Sequence, residues 1–181
     1  MKKSIITASI IMSSAFFLAA CDINESERVE TKGNSVQILG GKASVIMPDG
    51  FIKMPKELLE TKYPLSKRPQ EVWYVEKENG KVTIAFSMTT NAMSDAQIPQ
   101  FAQMLKQQFS SVSPILSDVT VNGNRLTRME MTIPAADSDI YNVMQLSSLE
   151  GKLLISTFNT TEDLKETYTE MGKQALSTFK Y

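Results

Sequence analysis

Residues 71–88 read EVWYVEKENGKVTIAFSM. The Asn79-Gly80 pair sits between two β-prone runs, Glu71 to Glu76 and Lys81 to Met88, and Asn-Gly is the strongest short signal for a tight hairpin turn. Along the second run Val82, Ile84, Phe86 and Met88 alternate with Lys81, Thr83, Ala85 and Ser87. That period of two predicts a strand with one buried face and one wet or lightly covered face. Three further pairs repeat the pattern on either side. Val36 to Leu39 and Lys42 to Met47 flank Gly40-Gly41, residues 114–121 and 124–133 flank Asn122-Gly123, and residues 140–149 and 152–158 flank Glu150-Gly151.

Two helical patterns interrupt the strands. Ser94 and Gln97 form a capping-box pair ahead of a stripe of Ile98, Phe101, Leu105 and Phe109, with Pro99 in the tolerant first turn. A second helix is predicted from about Thr161 to Thr178, burying Leu164, Tyr168, Met171 and Ala175, with Thr161 as its cap. Hairpin-linked strands with two main helices predict an α+β fold, an antiparallel β-sheet packed with helices. Residues 36–181 are expected to form a single globular domain.

Composition excludes several chemistries. The 181 residues contain no His and one Cys, so neither a Ser-His-Asp nor a Cys-His nucleophile system is possible, nor a zinc site built on those ligands. Nineteen basic residues against twenty acidic ones give no basic field for nucleic acid.

The N-terminus carries an export signal. Lys2 and Lys3 precede an apolar run from Ile5 to Leu18, which closes on Leu18-Ala19-Ala20-Cys21. This ending matches the bacterial lipobox, predicting cleavage after residue 20 and lipidation of Cys21, with two or three acyl chains making a firm anchor. Asp22, next to that Cys, resembles a signal for retention at the inner membrane, facing the periplasm. Residues 21–35 are expected to be the lipidated Cys and a flexible polar tether. Loss of the signal removes two of the 19 basic residues and no acid, leaving a charge of −3. The membrane is therefore met through the lipid anchor only, and with Cys21 spent on lipid the domain rests on its core alone.

The lipobox, the acidic tether and the opening Val36-x-x-Leu39-x-Gly41-Lys42-x-Ser44-Val45-x-x-Pro48 resemble the DcrB-type lipoproteins of bacterial envelopes, members of a PsbP-like group of α/β/α sandwiches. The resemblance implies that fold and a non-enzymatic role, since related PsbP-like domains act as binding accessories, including adaptors in type VI secretion. It supplies no catalytic residue.

Candidate binding residues cluster after the opening strands. Pro48, Pro55, Pro64 and Pro69 break a stretch that reads as a loop of about 20 residues, long enough to suggest function. It carries Lys53, Lys56, Lys62, Lys67 and Arg68 against Asp49, Glu57 and Glu60. If Val72 and Tyr74 face the core, Trp73 emerges beside Lys67 and Arg68, and Tyr, Trp and Arg dominate binding hot spots. Tyr63, Lys67, Arg68 and Trp73 are thus the candidate partner-binding residues.

The remaining features read as structural. Glu162, Glu166 and Glu170 form a solvated helix face. Met88, Met104, Met129, Met131 and Met144 fill apolar positions rather than bind copper. Asp137 and Asp139 lie in a predicted loop and could serve a carboxylate-based hydrolase only if another acid converged on them. No cofactor or metal is expected. The leading expectation is a non-enzymatic, lipid-anchored periplasmic protein-binding module, in one version an immunity protein neutralising a secreted type VI effector. The alternative is an envelope accessory or lipoprotein-biogenesis factor, and a hydrolase comes last.

Overall fold

The computed structural model describes residues 32–181. The signal peptide, Cys21, Asp22 and the tether up to residue 31 lie outside the described residues.

Strand β1 (Gly33–Ile38) pairs antiparallel with β2 (Ala43–Pro48) as a separate two-stranded ribbon. It starts three residues ahead of the strand read at Val36. The hairpin around Asn79-Gly80 forms, joining β4 (Glu71–Val75) to β5 (Val82–Ala92), but residues 76–81 connect them through a 3-10 turn at Glu76–Glu78 rather than a tight two-residue turn. Asn79, at φ 52°, ends that turn in the left-handed region, and Gly80 follows at φ 76°. Strands β6 (Ile115–Val121) and β7 (Asn124–Ile133), then β8 (Ile140–Leu149) and β9 (Lys152–Thr161), complete the expected hairpins.

The proline-rich stretch is where the reading needs correction. Instead of one long loop it holds a short edge strand, β3 (Phe51–Lys53), and a helix, α1 (Lys56–Lys62). Pro55 sits at the helix N-cap and Pro64 lies just beyond its end, so the prolines bound the helix rather than break it. With β3 the main sheet has seven antiparallel strands in the order β3-β4-β5-β9-β8-β7-β6.

Both faces of this sheet carry apolar groups. On one, Val82, Ile84 and Phe86 join Phe158, Leu154, Val143 and Leu126 in the main core, closed by the β1–β2 ribbon (Ile38, Val45, Met47) and by α3 (Lys165–Ser177). Tyr168 and Ala175 are buried as expected, along with Gly172 and Leu176. Phe179, beyond the helix, stacks on Phe86 at 6.4 Å, and Ser44 and Lys180 exchange backbone hydrogen bonds of 2.8 and 2.9 Å. On the opposite face α1 lays Leu59 and Tyr63 over Met54, Val72, Tyr74 and Ala85. At the far end α2 (Ile98–Gln108) covers Leu146 and Leu153 with Ile98 and Ala102. Its capping box forms between Ser94 and Gln97, while Met104, expected to be core filling, is 54% exposed. The face expected to be wet or lightly covered is therefore covered at both ends. Thr161 precedes the last helical segment, but its side chain makes no capping hydrogen bond.

The approach of α3 to the sheet depends on Gly172. A Cβ there would lie 2.2 Å from the ring of the fully buried Phe158. In an open helix, replacing Gly with Ala gains roughly 1 kcal/mol. Here Gly172→Ala is expected to destabilise by about 1–3 kcal/mol through overpacking, read as a lowered melting temperature. A raised melting temperature would mean that α3 does not rest on Phe158.

Candidate functional site

A cleft of about 350 Å³ opens on the α1 side of the sheet. Its floor is a polar row across three neighbouring strands. Register places Thr83 of β5 opposite Asn159 of β9, and Asn159 opposite Asn142 of β8. The Asn159 side-chain N–H donates to the Thr83 hydroxyl at 3.4 Å and to the Thr157 hydroxyl at 3.3 Å, and that of Asn142 donates to the Ile140 carbonyl at 2.8 Å. Neither amide oxygen accepts a hydrogen bond among the described residues.

The C-terminal end of α1 forms one wall. Lys62 is exposed along its stem, but its ammonium turns inward to donate to the Gly80 carbonyl at 2.7 Å. Burial there lowers its pKa. Tyr63 stands beside it, half-buried, with burial raising its phenol pKa against the opposing pull of the Thr83 hydroxyl. Lys81 lies on the rim with its ammonium 3.4 Å from Asp163, and Ile140 adds an apolar edge.

Of the four residues read as a binding cluster, only Tyr63 lines this cleft. Arg68 folds back on α1, donating to the Tyr63 carbonyl at 3.2 Å and to Glu60 Oε1 at 3.2 Å. Lys67 is exposed. Val72 and Tyr74 do face a core, but it is the smaller one under α1, and Arg68 is on that side too. Trp73 therefore points to the opposite face, where it packs against the main core with its indole N–H buried and without a partner. The expected juxtaposition of Trp73 with Lys67 and Arg68 fails because the segment bearing the two cations closes over one face of β4 while Trp73 occupies the other. Sequence reasoning missed Asn142, Asn159 and Thr83, which only strand register brings together.

A second polar cluster ties α3 to the sheet. Glu130 accepts hydrogen bonds from the Tyr141 hydroxyl and, at 2.8 Å, from the Lys173 ammonium. Burial opposes its ionisation, but the Lys173 and Tyr141 hydrogen bonds outweigh that and hold its pKa below the usual value. Arg128, buried beneath, donates to Gln145 Oε1 at 3.0 Å and to the Ser177 hydroxyl at 3.2 Å, while Gln145 donates to the Leu176 carbonyl at 3.1 Å. These bonds run from sheet to helix, and the cluster reads as a fastening for α3.

Asp137 and Asp139 are exposed on the β7–β8 loop. Among the described residues no group of three His, Cys, Asp or Glu side chains is placed to hold a metal ion. Within the same residues no helix is long and apolar enough to cross a membrane.

No protein-family model matches the sequence, and no curated protein sequence is similar to it. Solved structures do share the fold. The cyanobacterial PsbP protein CyanoP of Synechocystis sp. PCC 6803 aligns with a TM-score of 0.53 at 12% identity, over 83% of this chain and 92% of that one. LpqN of Mycobacterium tuberculosis, described as involved in cell envelope biogenesis, aligns with a TM-score of 0.51 at 13% identity, over 81% of this chain and 83% of that one. A Bacteroides thetaiotaomicron protein gives a TM-score of 0.53 at 10% identity over 82% of this chain, which spans about half (48%) of that longer protein. The fold is PsbP-like. At these identities the likeness reaches the fold alone.

The fastening role of Glu130 has a signed pH consequence. A carboxylate whose folded pKa is depressed contributes stability above its unfolded value, here about 4.5, and loses it as pH falls through the folded value. Glu130→Gln is therefore expected to lower the melting temperature at pH 7, with the difference from the parent closing as pH falls below the unfolded value and through the depressed folded one. A difference that stays constant across that range would show that the carboxylate charge contributes nothing.

Proposed function

We propose that this chain is a lipid-anchored, non-catalytic binding module of the bacterial envelope, held at the periplasmic face of the inner membrane through Cys21 and presenting its cleft to an envelope component. The observation that carries the reading is the Thr83–Asn159–Asn142 row beneath Lys62. These groups converge as hydrogen-bonding and cationic side chains, an arrangement suited to recognition, whereas the loop acids Asp137 and Asp139 stand exposed to solvent. The lipobox and Asp22 support the anchor and its membrane. The shared fold with LpqN, a protein described as acting in cell envelope biogenesis, supports a DcrB-like accessory role ahead of effector immunity.

Two measurements test this. Cys21→Ser is expected to abolish palmitate labelling and move the protein from the membrane to the soluble fraction; retention in the membrane would remove the lipid anchor. Tagged full-length protein is expected to recover envelope-assembly components from its host, and Asn159→Arg, which fills the cleft, to lose them. Recovery of one secreted toxin instead would establish the immunity reading, and equal recovery by both forms would place the interface elsewhere.

A further inference from the structure

The cleft has one cation to spare. Of the two cations that line it, Lys81 has its ammonium 3.4 Å from Asp163, whereas Lys62 has no carboxylate within 4.0 Å among the described residues. An ammonium has three donors. That of Lys62 gives one to the Gly80 carbonyl and holds position over the floor. A cation that is partly desolvated without a counter-ion favours an anion that brings its own negative charge. One spare positive charge matches one negative charge. A phosphate dianion is normally held by several cations or a nest of backbone N–H groups, which this wall does not provide.

The floor specifies the rest of the ligand. The Asn142 and Asn159 amide oxygens stand ready to accept N–H groups, while the buried Thr83 hydroxyl beneath them accepts from Asn159. Tyr63 and Ile140 supply apolar edges that suit a small aliphatic side chain. We infer that the cleft binds an amide-bearing carboxylate, with the carboxylate on Lys62 and the amide on the Asn142–Asn159 row. Two sources carry that chemistry, a free N-acylated amino acid and the C-terminal end of a peptide chain. The inference rests on reading the cleft as a binding surface and names what it takes.

The test is calorimetric titration of the full chain in mild detergent. N-acetyl-Ala-Ala is the probe, and its neutral C-terminal amide is the control. The acid is expected to bind saturably and at least tenfold more tightly than the amide. Lys62→Gln, which can still donate to the Gly80 carbonyl, should bring the two to equal affinity, while Lys106→Gln, on α2 and outside the cleft, should leave both unchanged. Equal binding of acid and amide by the parent protein, an undiminished preference in Lys62→Gln, or no saturable binding up to about 20 mM acid would overturn the inference; that ceiling corresponds to a free energy weaker than about −2.3 kcal/mol. The acid-against-amide comparison uses the parent alone, so a misfolded variant cannot blur it. N-acetylalanine and N-acetyl-tetra-alanine separate the sources: equal affinity favours the free acyl amino acid, and a rise with length favours the chain end. The titration involves no partner protein and the envelope purification no peptide, so either can fail while the other stands.

Discussion

Phe158 lies on β9, the middle strand of seven, and its ring meets α3 at the one helix position that has no side chain. Any Cβ at Gly172 would hold the helix off the sheet, and the groups that depend on close approach would separate with it. Tyr168, Ala175 and Leu176 reach the main core from the same helix, and Arg128 and Gln145 bond to its last turn. The C-terminal Phe179 follows that docking, stacking on Phe86 while Lys180 pairs with Ser44 of the ribbon. Helix, ribbon and chain end thus close the main core as a unit around one contact.

The other face is built differently. Its two helices are short and lie at separate ends, α1 over β4 and β5, and α2 over Leu146 and Leu153. Between them runs a strip whose side chains are Thr83, Asn159 and Asn142 in place of the Val, Ile and Phe found through the sheet on the main-core side. Thr83 is already buried there, and covering the two amides with a helix as well would leave them with too few partners, at roughly 1–3 kcal/mol for each group left unsatisfied. Left open to solvent or a ligand, the same groups cost nothing. The cleft follows from the composition of three strands and needs no special loop to create it.

That difference also explains what the sequence makes legible. The four hairpins announce themselves because turn chemistry is local, two or three residues with positive φ between β-prone runs, and α2 announces itself through Ser94 and Gln97. Helix α1 does not, because none of its seven residues is fully buried and so no apolar stripe marks it. The prolines that suggest a loop are its boundaries. Trp73 does point away from Val72 and Tyr74, but both faces of β4 are covered, so knowing that Val72 and Tyr74 face a core does not leave Trp73 in solvent. Arg128 is hidden for a related reason: a basic residue in a strand reads as exposed until its partners on α3 are known. The cleft is the least legible feature of all. Its residues lie at 62, 83, 142 and 159, on four elements, and no spacing within any one of them marks their meeting.

The two polar clusters can be told apart by where their bonds go. Around Glu130 and Arg128 most hydrogen bonds cross from sheet to helix, and each cation meets an acceptor on the far element, although the buried Arg128 Nε–H keeps no partner among the described residues. In the cleft two floor bonds, Asn159 to Thr83 and Asn142 to Ile140, stay within the sheet, and Lys62 reaches the Gly80 carbonyl of the β4–β5 turn. These bonds leave the Lys62 ammonium without a carboxylate and both amide oxygens without a donor among the described residues. Folding brings wall and floor to the same opening but leaves an ammonium and two amide oxygens with capacity for a further partner. A group that fits between them would complete bonds that the chain itself leaves unmade, which is why the proposed binding site is the cleft rather than the larger charged cluster.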